Sequence, residues 1–138
     1  MNVVALLPRT CGENERLENI LISTVFPGSL QLIYNPQTFI KRIPQFGEFH
    51  TIVVAHVVTE EDLRSLGPYR PMLKNYRTIL ILPDGEQDLD RLGRLMNPVL
   101  ILPLSDAMEQ LPAVLRGMHG KRTEHRSAVY DKTPRIRD

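Results

Sequence analysis

Five short apolar runs recur along the chain: "VVALL" (3–7), "LQLIY" (30–34), "TIVVAHVV" (51–58), "TILIL" (78–82) and "PVLIL" (98–102), each followed by an amphipathic stretch. Runs this short and this rich in Val, Ile and Leu read as strands buried on both faces. Strands that alternate with helices pair in parallel through right-handed crossovers, so the expected architecture is an α/β protein, a three-layer α/β/α sandwich around a five-stranded parallel sheet. At 138 residues, such a chain forms one domain that buries roughly two-thirds of its unfolded surface.

The stretches between the runs carry helix signals. Leu17, Ile20 and Leu21 share one helix face, and that helix ends before Pro27-Gly28. Asn35 is placed to cap the next helix with Pro36 at its first position, and Phe39, Ile40 and Ile43 form its buried stripe. Thr59-Glu60-Glu61-Asp62 has the form of a capping box before Leu63 and Leu66, and Gly67-Pro68 breaks or bends that helix. Pro83-Asp84-Gly85 turns the chain into a helix carrying Leu89, Leu92, Leu95 and Met96. Ser105 is the expected cap of the last helix, with Met108, Leu111 and Leu115 inward and Pro112 as a kink.

Charge separates the body from its end. Residues 1–119 hold 11 Lys/Arg against 13 Asp/Glu, whereas 120–138 hold 6 against 3. The segment "GKRTEHRSAVYDKTPRIRD" has few large apolar residues and reads as a basic linker or arm beyond a domain of 1–119. Nucleic acid is not expected as a partner of the domain itself, because no aromatic or helix-turn-helix pattern accompanies these charges. No run approaches the length of a membrane span, and "MNVVALLPR" has no signal-peptide form, so a cytoplasmic protein is expected.

Catalytic motifs are sparse. Cys11, the single cysteine, is followed by four residues and then Arg16, one short of a phosphatase loop, and Glu13 and Glu15 would repel a phosphate there. There is no Gly-rich dinucleotide loop, P-loop or nucleophile elbow. His56 has the chemistry of a general base but no motif partner, and a hydrogen-bonded strand-end histidine explains it as well. Four scattered histidines show no metal-ligand spacing, and no metal site or cofactor is expected. Glu13, Glu60, Glu61 and Asp84 follow strand ends, where carboxylates can hold Mg²⁺, yet acidic residues in a first helical turn also offset the macrodipole.

The alternation, with "PVLILPLSDAMEQLPAVLRGM" at its end, resembles the receiver domain of two-component response regulators. In that family the last strand ends in Lys-Pro, an apolar residue and Ser or Asp; here Leu102-Pro103-Leu104-Ser105 is similar. The resemblance implies a flavodoxin-like fold with strand order 2-1-3-4-5, and a cis Leu102–Pro103 bond.

Carried over residue by residue, the same resemblance implies a degenerate phosphorylation pocket. Pro8-Arg9 stand at the acidic pair, Ala55 or His56 at the phosphoacceptor aspartate, Pro83 at the Thr/Ser and Leu102 at the lysine. The expected function is that of a pseudo-receiver, not an enzyme, which signals through protein contacts with a partner or output domain. Pairing as a homodimer would use Arg91, Arg94 and Met96 on one helix and Met108, Glu109 and Arg116 on another. One alternative is a module that takes a small anionic ligand or nucleotide on Arg9 and the loop Cys11–Asn14; another is an enzyme using Cys11 or His56.

Overall fold

Alternate residues of the central strands face opposite layers, and nearly all of them are apolar, so the sheet must be covered on both sides. A computed structural model of the chain describes residues 2–8 and 14–124. Strands β1 (Asn2–Leu6), β2 (Leu30–Ile33), β3 (Thr51–His56), β4 (Arg77–Leu82) and β5 (Leu100–Pro103) pair in parallel in the order 2-1-3-4-5. On one face, Val4, Leu6, Val53, Ala55, Leu80 and Leu82 pack against α2 (Pro36–Arg42), α3 (Glu60–Leu66), α4 (Arg70–Leu73) and α5 (Gln87–Arg94). On the other, Val3, Ala5, Ile52, Val54, Ile79 and Ile81 meet α1 (Asn14–Thr24) and α6 (Leu104–Glu124). The expected three-layer, flavodoxin-like sandwich is the fold observed. Among the described residues no helix is long and apolar enough to cross a membrane.

Local chemistry places the helices. The Asn35 side chain accepts from the Gln37 and Thr38 N–H groups at 2.7 and 3.1 Å, with Pro36 opening α2. Thr59 and Asp62 form the reciprocal capping box of α3. After α5, Asn97 takes the left-handed conformation (φ 55°) just before Pro98, which ends the helix as Asn and Pro commonly do. Gly93 lets α5 lie close to the sheet: a Cβ there would sit 3.2 Å from Leu80 Cδ1.

Two helix expectations need correction. Helix α6 begins at Leu104, directly from β5, so Ser105 lies inside it rather than capping it. In the stripe that starts at Leu89, Met96 is buried at 6% exposure while Leu95 is 58% exposed, because α5 ends at Arg94 and the last turn carries Leu95 outward. Pro112 lies within α6, which continues through Glu124. Residues 125–138 lie outside the described residues.

Candidate functional site

In a sheet of order 2-1-3-4-5 the chain leaves β1 toward one edge and returns through β3 toward the other, which opens a crevice at the C-terminal ends of these two strands. His56 closes β3 there, beside Ile81 of β4. Its ring is 1% exposed, and Nδ1 lies 2.8 Å from Oδ1 of Asn14, the first residue of α1. The Asn14 amide nitrogen donates to the Pro8 carbonyl, which turns Oδ1 toward the imidazole and makes Nδ1 the protonated nitrogen. Pro8, Asn14 and His56 thus form a polar bridge across the crevice, with the imidazole 1% exposed at the floor of an open cleft. Asn14 belongs to the loop expected to take an anion in the ligand-binding alternative; here its side chain is committed within the fold.

Of the two residues considered for the phosphoacceptor position, Ala55 faces the layer of α2–α5 and His56 faces the edge. Leu102 pairs with Ile81 and is 5% exposed in the apolar layer under α1 and α6. Pro83 is half-buried after β4. Arg9, Cys11 and Glu13 lie outside the described residues. Glu60, Glu61 and Asp62 all fall in the first turn of α3, and Asp62 accepts from the Val58 and Thr59 N–H groups at 3.1 and 3.2 Å. Among the described residues, no three His, Cys, Asp or Glu side chains are grouped so as to hold a metal ion.

Asp84 has a role that no local signal in the sequence marks. Its Oδ1 accepts the Ser105 backbone N–H at 3.1 Å, so the β4–α5 turn caps α6. The Leu102–Pro103 peptide is trans, contrary to the cis bond expected. Pro103 stays in the ladder opposite Leu82 and α6 starts at the next residue, so the chain runs on without the reversal a cis bond provides.

The Ser105 backbone N–H, with the Ser105 hydroxyl and then the Leu104 N–H adding to it, holds the Asp84 carboxyl below its ordinary value against a smaller desolvation effect. A lowered folded-state pKa gives stability that is present above the unfolded value and lost as pH falls through the folded one. Asp84→Asn is therefore expected to lower the thermal midpoint at neutral pH and to flatten its decline below about pH 4, as read by thermal melts across pH.

The residues expected at an interface flank the edge strand β5. Arg91, Arg94, Glu109 and Arg116 are exposed, and the two arginines of α5 pair within that helix with Asp88 (3.2 Å) and Asp90 (3.0 Å). Met108 is half-buried on the α1–α6 layer. Met96, packed in the opposite core, is removed from this face, and exposed Leu95 and Val99 stand beside it instead.

An open cleft of about 660 Å³ lies between α2 and α3, over the ends of β1, β2 and β3, and reaches Pro8 and His56. Half-buried Pro8, Tyr34 and Pro36 contribute apolar lining, and Thr38 and Arg42 stand on its α2 side.

The strand order and layering define a flavodoxin-like α/β domain. Among solved structures, the RcsB response regulator of Salmonella typhimurium, described for its conformational dynamism in DNA interaction, superposes with a TM-score of 0.62. The two are 11% identical, over 96% of this chain and 73% of that one, and what they share is the fold. No family model and no curated protein matches the sequence.

Proposed function

We propose that this chain is a pseudo-receiver: a cytoplasmic signalling module, not an enzyme, that takes no phosphoryl group on aspartate and acts through protein contacts. The observation that carries this reading is the end of β3, where neither residue considered for the phosphoacceptor is a carboxylate: Ala55 faces the α2–α5 layer and the His56 imidazole is bound to Asn14. A phosphoryl group brings about two negative charges, which a receiver offsets with a metal and a lysine. Leu102, buried in the apolar layer, offers no such offset. The likeness to a response regulator supports a role in signalling or regulation.

The test is incubation with acetyl phosphate and Mg²⁺. No hydroxylamine-labile phosphate is expected by intact mass; stoichiometric labelling of an aspartate would reverse the reading.

The contact face is proposed along β5, where Leu95 and Val99 expose apolar surface between Arg91 and Arg94 on one side and Glu109 and Arg116 on the other. Apolar centres with charged rims are the usual anatomy of a specific interface. Self-association measured by sedimentation is expected to weaken at least about tenfold in Val99→Asp, since a desolvated carboxylate costs more than about 1.4 kcal/mol. An unchanged dimer would move the interface elsewhere, and a monomeric wild type would leave the face to a different partner.

A further inference from the structure

Among the described residues Arg42 makes no ion pair, and its one hydrogen bond is a long one, 3.4 Å from Nη1 to Gln31 Oε1. A guanidinium carries five donors in a planar fork that matches a carboxylate. This cation stands at the side of the cleft between α2 and α3, whose volume of about 660 Å³ falls within the roughly 300–1,000 Å³ of small-molecule sites. Half-buried Pro8, Tyr34 and Pro36 give the cleft an apolar lining, and Thr38 stands on the same side as Arg42. The carboxylate opposite, Asp62, is engaged by two backbone N–H groups.

We propose that this cleft binds a small monocarboxylate with an aromatic or branched apolar body, the carboxylate on Arg42 and the body against Pro8, Tyr34 and Pro36. One cation balances one negative charge. A phosphate or nucleotide brings about two and would also face Asp62, so those classes fit poorly. The cleft adjoins Pro8 and His56 at its floor, but the contact proposed for the carboxylate is with Arg42 on α2, so the Arg42→Gln comparison below reads it separately from the acetyl phosphate test.

The full chain is titrated by calorimetry with 2-naphthoate and with 2-naphthylmethanol, its uncharged counterpart. Saturable binding of the acid, at least about tenfold tighter than the alcohol, is expected from a charge-assisted bidentate contact. Arg42→Gln should bring the acid to the affinity of the alcohol, and Thr38→Trp should weaken both by filling the cleft. Both positions are solvent-exposed, so these variants keep the fold, which an unchanged circular dichroism melt verifies. The proposal is overturned if the acid shows no saturable binding at millimolar concentration, if acid and alcohol bind equally to the wild type, if Arg42→Gln keeps the preference, or if inorganic phosphate or AMP binds more tightly than naphthoate.

Discussion

Replacing Leu102 by lysine will cost the domain about 3–5 kcal/mol at pH 7, among the largest effects of any single substitution here. Leu102 is 5% exposed, in an apolar cluster with Ile79, Ile81, Ala107 and Leu111. An ammonium placed there must lose its proton or pull the strand end apart to reach water. The pH dependence identifies the cause. A lysine whose folded pKa is depressed binds fewer protons in the native than in the unfolded state, so the deficit shrinks as pH rises toward the ordinary lysine value. Leu102→Met, which keeps the volume, should cost less than about 1.5 kcal/mol. Urea unfolding at about pH 7 and about pH 9.5 compares all three proteins at two points as pH rises toward the ordinary lysine value. A lysine variant within about 1 kcal/mol of wild type at both pH values would mean that position 102 reaches the sheet edge, and that half of a receiver's charge-neutralising pair can be rebuilt by one substitution.

Phe39→Ala is the second large effect, about 3–5 kcal/mol, or on the order of 10–20 °C in thermal midpoint. Phe39 is fully buried on a helix of only seven residues, whose hold on the sheet rests on it and on Ile43 just past its end. A helix this short has little stability of its own, so its position is set by packing. The loss should appear as a lower urea midpoint at unchanged slope. Because α2 also forms one side of the cleft that holds Arg42, naphthoate binding is expected to weaken in parallel. A cost below about 1 kcal/mol would show that the cavity collapses, and that α2 is anchored by its cap alone.

Helix α2 also shows why much of the fold is legible in the sequence. Its start, its first proline and its buried stripe are all encoded within Asn35–Ile43, and each signal acts on near neighbours. The five strands are legible for the same reason, since burial on both faces leaves unbroken apolar runs. The illegible features are made by residues far apart. Asn14 meets His56 only when β1 and β3 pair, and Asp84 reaches Ser105 only when β5 lies beside β4. Tyr76 carries no local signal of its role. Its hydroxyl lies 3.0 Å from the Ile43 carbonyl and 3.1 Å from that of Phe46, tying the start of β4 to the connection after α2. Met96 turns into the core rather than onto the expected interface because adjacent positions at a helix end point about 100° apart, and periodicity alone does not say which one faces inward. The cleft between α2 and α3 is a gap between two separately encoded helices, and a gap has no residue pattern of its own.

The tight seat of Gly93 constrains how this sequence can drift. With Leu80 Cδ1 3.2 Å from where a methyl group would begin, and Leu82 and Ile101 in ordinary contact at 3.6 and 3.7 Å, a side chain at position 93 requires the Leu80 methyl to give by a few tenths of an ångström. Homologues bearing alanine or serine here should therefore favour a smaller residue at the equivalent of Leu80, which removes the need for that shift. That paired exchange is a fingerprint by which distant kin could be recognised after overall identity has decayed.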